Sequence, residues 1–243
     1  MAREVGTLKL GLLSAALIGG LALPAQATEL ELGGTATFTT DYVFRGLSQT
    51  NEHPAVQASI DATYGIFYAG MWGSNIDFAE SIELDYYGGI TPTWKDISFD
   101  IGGIFYTYPG QNSTFDYFEL KTGASYTFGE AFTVGVTNYW SPDLYVDGGD
   151  ALELSGEYAF SRKLFNFFSP SVSGLVGWQW YEDNVSGVDY TYWNVGLTLG
   201  FMENWSADIR YWDTDTSSGG CSTLGYASSD CDSRVVGTIS ASF

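Results

Sequence analysis

Apolar and polar side chains alternate with a period of two along almost the whole chain, and only clusters of Gly, Asn, Asp and Pro interrupt the pattern. This is the spacing at which a β-strand places successive side chains on opposite faces. Between residues 54 and 65, for example, Val56 and Ile60 share one face while Gln57 and Asp61 share the other. The alternation predicts an all-β chain of about twelve antiparallel strands.

The first 27 residues follow a different pattern, that of a cleaved signal peptide. Arg3 and Lys9 give a positive start, residues 10–23 are almost wholly apolar, and Ala25 and Ala27 form a small-x-small cleavage site. The apolar run is shorter than the ~20 residues that a membrane-spanning helix needs. We therefore predict export of the chain, removal of residues 1–27, and one domain over residues 28–243.

Charge and composition exclude several classes of protein. Removing Arg3, Lys9 and Glu4 reduces the 9 basic and 29 acidic residues to 7 and 28, a net charge near −21. Nucleic acid is excluded as a partner, because phosphate binding needs clustered Lys and Arg. An aromatic content of 17% also excludes a disordered acidic chain.

The residues on the two strand faces distinguish a membrane barrel from a soluble β-sandwich or lipocalin-like barrel. In a soluble barrel the polar face meets water and is rich in Lys and Glu, whereas here it carries mainly Thr, Ser, Gly, Gln, Tyr and isolated carboxylates. The apolar face carries aromatic residues near strand ends, as in the interfacial girdles of transmembrane barrels. These aromatics are Phe44, Tyr64, Phe128, Phe160, Trp180, Phe201, Trp205 and Tyr211. We predict a transmembrane antiparallel up-and-down β-barrel in the bacterial outer membrane.

Connection lengths and the last residue agree with this fold. Short turns are expected near residues 65, 91–96, 129–130, 161–170 and 202–204, and longer external loops at 46–53, 77–81, 109–114, 141–149, 182–187 and 213–232. The turn at 161–170 is long for its class, and its Arg162-Lys163 pair and neighbouring Phe residues are expected against the membrane surface. Phe243 ends an alternating strand and resembles the signal that the barrel-assembly machinery recognises.

The polar face supplies the predicted lining of the lumen. Its residues are Asp41, Arg45, Gln57, Asp61, Glu83, Asp85, Asp100, Glu119, Lys121, Glu153, Glu157, Asp208, Arg210 and Arg234. Carboxylates outnumber bases by nine to four, which favours cations or neutral polar solutes in an open pore. The alternative is that the four bases pair with acids across the lumen and fill it. Asp41 and Arg45 would lie about 13 Å apart on one strand, with Glu83 or Asp85 as partner for Arg45.

The cysteines, the histidine and the loop aspartates form no pattern that predicts catalysis or a metal site. Cys221 and Cys231 lie ten residues apart in an exported chain, so we expect a disulfide, since a metal site or redox pair would need His neighbours or C-x-x-C spacing. His53 is the single histidine and is expected to be a solvated loop residue. We predict no catalytic residues, metal or cofactor, and we interpret the loop aspartates as solvated, although divalent ions bridging them to lipopolysaccharide are the alternative.

Residues 40–50 read Thr-Asp-Tyr-Val-Phe-Arg-Gly-Leu-Ser-Gln-Thr. This stretch resembles the opening strand and loop of the TorF-type porin family, a group of conserved proteobacterial outer-membrane proteins of unknown function. Residues 54–57, 68–77 and 83–89 are similar to the following elements in the same order. The resemblance implies an outer-membrane barrel with porin activity, and it brings no substrate or catalytic residue.

Two functions follow from these observations. The first is passive diffusion of small cationic or neutral polar solutes through an acidic lumen. The second is a filled, non-conducting barrel that acts structurally or through its external loops. Expected partners are outer-membrane lipid, lipopolysaccharide and, during biogenesis, the barrel-assembly machinery.

Overall fold

A computed structural model describes residues 27–77, 81–110, 115–144, 148–182 and 188–243. The predicted signal peptide lies outside the described residues, apart from Ala27 at its end. Of the predicted external loops, four are only partly described, because residues 78–80, 111–114, 145–147 and 183–187 fall in the gaps.

The described chain is nearly all β. Its strands are β1 (Ala27–Thr39), β2 (Val43–Phe44), β3 (Leu47–Ser48), β4 (Ala55–Gly65), β5 (Phe67–Ile76), β6 (Ser81–Ile90), β7 (Thr93–Trp94), β8 (Ile97–Thr107), β9 (Tyr117–Phe128), β10 (Phe132–Ser141), β11 (Gly149–Ala159), β12 (Ser169–Tyr181), β13 (Tyr190–Phe201), β14 (Trp205–Thr214) and β15 (Arg234–Ser242). One short helix, α1 (Ser218–Thr223), and a 3-10 turn, Ser228–Cys231, precede the last strand. None of the helices among the described residues has the length and hydropathy to cross a bilayer.

Twelve long strands close into one barrel, as predicted. Each pairs antiparallel with the next along the chain, and β1 pairs with β15 to close the ring, with Phe38 opposite Ile239. Phe243 extends this seam, because its backbone exchanges hydrogen bonds of 3.0 and 3.1 Å with Gly34. Closure leaves no unpaired strand edge along the barrel wall.

The predicted inward and outward faces are confirmed along the barrel strands. On β4, Val56 is 67% exposed and Gln57 8%, and on β6 Ile82 is 46% exposed while Asp85 is 0%. The outer surface is therefore an apolar belt, and the polar set lies inside.

The two ends of the barrel differ, also as predicted. Five short connections lie at one end, here named the turn end, and Gly65 and Gly129 take the positive φ values that their tight turns require. Six connections lie at the other end, the loop end, and most of them are longer, although the four residues between β5 and β6 are fewer than the nine between β11 and β12 at the turn end. The turn at residues 161–168 projects as a hairpin, closed by the backbone pairing of Leu164 with Phe168.

The prediction for the first strand and loop was wrong. Strand β1 ends at Thr39. In residues 40–54, here named the inward segment, the run 41–50 is buried in the lumen instead of standing outside it. Tyr42 is 3% exposed, and Phe44 packs against Tyr106 on the inner wall instead of joining the outer girdle. Arg45 and Gly46 both have positive φ, which makes the tight turn between β2 and β3.

Residues 215–233 form a cap beside the inward segment at the loop end. The cap contains α1 and the 3-10 turn, and the predicted disulfide between Cys221 and Cys231 is present within it. Val43 and Leu47 of the inward segment belong to the same buried cluster as Cys221 and Leu224 of the cap. The cap and the inward segment are thus packed as one unit.

Candidate functional site

The centre of the lumen at the loop end is occupied by Arg45. Its guanidinium contacts both carboxylate oxygens of Glu119 on β9 at 2.8 Å and donates to Gln179 on β12 at 2.9 Å. The ring of Tyr139 on β10 lies 4.9 Å from the guanidinium carbon. Arg45 is 5% and Glu119 1% exposed. A side chain from the first connection therefore reaches three strands on the far wall.

Asp41 anchors the base of the inward segment. Its carboxylate pairs with Arg234 on β15 at 2.8 Å and accepts a hydrogen bond from Ser48 at 2.7 Å. The backbone N–H of Tyr42 donates to the Thr50 hydroxyl, and Thr50 is fully buried. These contacts tie the two ends of the segment together above strand β1.

The prediction that Glu83 or Asp85 would pair with Arg45 was wrong. Glu83 accepts a hydrogen bond of 2.9 Å from the Tyr42 hydroxyl, while Arg45 reaches past both acids to Glu119. The reason is that Arg45 extends from an inward-folded turn rather than from the wall. Asp41 and Arg45 accordingly do not share a strand face.

The cap makes one further polar contact with the inward segment. The Tyr226 hydroxyl donates to the side-chain oxygen of Gln49 at 3.1 Å, and Arg234 donates to the Ser229 carbonyl at 2.7 Å. Within the cap, burial raises the pKa of Asp230, while the Ala227 N–H that it accepts lowers this pKa. Arg234 therefore joins the inward segment, the wall and the cap.

The other two predicted lumen bases are paired below the inward segment. Lys121 contacts Asp100 at 2.6 Å, and Arg210 contacts Asp208, on its own strand, at 3.1 Å. Arg210 also donates to Asn194 at 2.6 Å. All four predicted lumen bases thus lie in ion pairs.

Five of the nine predicted lumen acids have no ion pair with a base among the described residues. Asp61 accepts from Ser59 and Tyr87, and Glu153 accepts from the Tyr192 hydroxyl at 2.8 Å. The complete set is Asp61, Glu83, Asp85, Glu153 and Glu157. The lumen therefore carries an excess of carboxylates after the ion pairs are formed.

Asp85 has the least favourable surroundings of these acids. It is fully buried, and neither carboxylate oxygen receives a hydrogen bond within the described part of the chain. The neighbouring carboxyl of Glu83 on the same strand face adds like-charge repulsion. A buried carboxylate without a donor is costly.

Asp85→Asn is expected to stabilise the barrel by about 1–3 kcal/mol, because the amide removes the repulsion and can donate to Glu83. Urea unfolding in detergent micelles, followed by Trp fluorescence, measures the change. The matched control is Asp100→Asn, which removes the charge of an ion-pair partner of Lys121 and should destabilise the barrel. A loss of stability in Asp85→Asn would contradict the expectation.

The turn-end half of the lumen differs from the filled loop-end half. On β9, β10 and β11 its inner wall carries small hydroxyl side chains that solvent reaches, with Thr127 and Ser155 exposed and Ser125 and Thr133 half-buried, whereas Ser171 on β12 and Thr198 on β13 are fully buried. Thr127 and Thr133 contact each other across neighbouring strands at 3.0 Å. The β9–β11 side of this half is a polar vestibule below the inward segment.

The remaining candidates give no reactive centre. His53 lies 3.1 Å from Asp77 in an exposed position, and among the described residues no group of three or more His, Cys, Asp or Glu could hold a metal ion. Several loop aspartates instead accept strand-end N–H groups, such as Asp143 from Phe118 and Asp215 from Thr191. Gln57 lies buried on the inner wall of β4.

Sequence reasoning missed the residues that hold the inward segment. They are Tyr42, Gln49, Thr50, Tyr106, Tyr139, Gln179 and Tyr192. One signal was available: the connection contains Tyr42, Val43, Phe44 and Leu47, which is an unusual content for a loop that faces water.

Twelve antiparallel strands around a polar lumen, with an apolar outer face, define a closed β-barrel whose fold is similar to that of porins. The chain belongs to the family described as bacterial protein of unknown function (Gcw_chp), whose model matches residues 25–243. No curated protein matches the sequence.

Solved barrels share this fold at low sequence identity. A KdgM porin is 9% identical with a TM-score of 0.60, and the match covers 87% of this chain and 99% of that one. A NanC porin is 12% identical with a TM-score of 0.53, covering 88% and 99%. The COG4313 outer membrane channel of Pseudomonas putida F1 is 9% identical with a TM-score of 0.50, covering 91% and 96%.

Proposed function

We propose that this protein is an outer-membrane channel for small cationic or neutral polar solutes, narrowed at its loop end by the inward segment. The observation that carries the proposal is the water-accessible hydroxyl vestibule below a segment whose Arg45 and Asp41 are held by ion pairs. Hydrogen bonds and ion pairs can be exchanged for contacts with water or solute more easily than an apolar plug can be displaced.

The charge of the lumen supports a preference for cations. Five carboxylates remain after the four bases are paired, and carboxylates lining a pore favour cations. One of the similar barrels is a KdgM porin solved in complex with oligogalacturonate, which is an anionic chain. The excess charge in the present lumen has the sign that would repel such a ligand. We therefore infer a different solute class for this protein.

Planar bilayers test both parts of the proposal. Purified, refolded barrel should give discrete conductance steps, and under a KCl gradient the reversal potential should report preference for potassium over chloride. Glu153→Gln combined with Glu157→Gln should reduce this preference, because it removes two of the five unpaired acids. Glu182→Gln in an exposed loop is the control and should leave selectivity unchanged.

A second candidate function is a filled barrel with a structural or loop-mediated role. The burial of residues 42–50 favours it, since every residue of this run is buried except the half-buried Phe44, and Thr50 has no exposed surface. Absence of conductance steps from correctly folded protein would support this function over the channel. Conductance with a preference for chloride would support a channel but would contradict the argument that its acidic lumen selects cations.

The remaining assignments are part of the same proposal. We infer export by a signal peptide over residues 1–27, assembly through Phe243, and contact with lipopolysaccharide at the acidic loop end. We infer no catalytic activity. The TorF-type resemblance stays a hypothesis, and its most specific stretch, residues 40–50, coincides with the inward segment.

A further inference from the structure

The bases outside the lumen are all at one end of the barrel. Of the seven basic residues after residue 27, four lie in lumen ion pairs, and the other three are Lys95, Arg162 and Lys163. All three are exposed and lie in turn-end connections. The turn end is therefore the location of the exposed positive charge in a strongly acidic chain.

Aromatic side chains accompany these bases. Phe165 at the tip of the 161–168 hairpin is 92% exposed, and Phe167 is 45% exposed. In the other connection, the ammonium group of Lys95 lies 4.5 Å from the ring centre of Trp94, which is 61% exposed. Basic and aromatic side chains together are typical of surfaces that lie in a lipid interface.

The backbone of the hairpin makes the exposure of Phe165 unusual. Phe165 and Asn166 both have positive φ, the conformation of a tight hairpin turn, in which Gly or Asn is favoured at these positions. A bulky ring in this conformation and in water is doubly unfavourable. Insertion of the ring into a lipid layer would remove the second of these costs.

The hairpin is continuous with the apolar belt of the barrel. Phe167 lies 4.8 Å from Phe168, Phe168 5.9 Å from Phe201, and Phe201 6.4 Å from Trp205, measured between ring centres. The rings thus form a chain from the barrel wall toward the projecting hairpin. A membrane that meets the wall at this end would also meet the hairpin.

We propose that the 161–168 hairpin binds anionic phospholipid in the leaflet that surrounds the turn end. Arg162 and Lys163 contact the headgroup phosphates, and Phe165 and Phe167 insert among the acyl chains. This inference rests on the membrane location in the proposed function, but it does not depend on whether the lumen conducts.

Lipid retention tests the proposal. The full-length mature barrel is reconstituted in mixed phosphatidylglycerol and phosphatidylcholine, and native mass spectrometry measures which lipid stays bound after release. Wild-type protein should retain phosphatidylglycerol preferentially. Arg162→Gln with Lys163→Gln should reduce this preference severalfold, whereas Arg162→Lys with Lys163→Arg should keep it.

Two further variants separate the contributions of charge and ring. Phe165→Ser should lower retention of both lipids, and Glu203→Gln, an exposed acid at the same end, should not weaken phosphatidylglycerol binding. Equal retention by the Gln pair and wild type, with both folded as judged by heat-modifiable gel migration, would overturn the proposal. Conductance recorded on the same samples distinguishes this proposal from the channel function. A barrel that retains phosphatidylglycerol but does not conduct would contradict the channel and support the lipid site.

Discussion

Replacing residues 43–50 with a short Gly-Ser linker is expected to raise the single-channel conductance of the barrel severalfold. These residues include the β2–β3 hairpin and Arg45, and they occupy the loop-end half of the lumen. Without them the polar vestibule would continue to the loop end, since a twelve-stranded barrel is wider than the eight-stranded barrels that side chains fill. Conductance steps in symmetric KCl measure the change.

The matched control places the same linker over residues 161–168, a hairpin that projects from the opposite end. Its conductance should equal that of wild type, because no residue of that hairpin enters the lumen. Migration of unheated protein on gels shows that each barrel has folded. An unchanged conductance in the folded 43–50 variant would show that the inward segment does not obstruct the pore.

The barrel itself could be predicted from the sequence because its determinants are local. A strand with one face in lipid and one in a polar lumen must alternate residue by residue, so Gln57 and Asp85 were assigned correctly to the interior from parity alone. Turn residues such as Gly129 mark the strand ends in the same local way. Twelve strands and two unlike ends follow from these signals.

The inward segment could not be predicted, because the same alternation has two structural explanations. Tyr42 and Phe44 continue the parity of Phe38, and a ring buried in the lumen satisfies that pattern as well as a ring in lipid. The difference lies in contacts between distant parts of the chain. The paired residues Arg45 and Glu119 are 74 positions apart in the sequence, and Asp41 and Arg234 are 193 positions apart. Residue spacing carries no information about contacts over such sequence separations.

Arg45→Ala is expected to cost about 3–5 kcal/mol, because it leaves the carboxylate of Glu119 buried without its partner. The Gln179 hydrogen bond and the contact with the Tyr139 ring are lost at the same time. Urea unfolding in micelles measures the loss of global stability. Faster backbone hydrogen exchange over residues 40–54 would show how much of the destabilisation is local opening of the inward segment.

The double variant Arg45→Met with Glu119→Met separates the ion pair from simple packing. Apolar side chains of similar volume often replace a buried pair without loss, so the double variant should be close to wild type in stability. If it is as unstable as Arg45→Ala, the packing of the arginine side chain, and not an unpaired charge, holds the segment. The single-channel conductance of each folded variant then shows whether this ion pair keeps the lumen closed. If Arg45→Ala conducts more than wild type and the double Met variant does not, release of the inward segment explains the increase. Equal conductance in wild type and both variants would show that Arg45 does not hold the segment in the lumen.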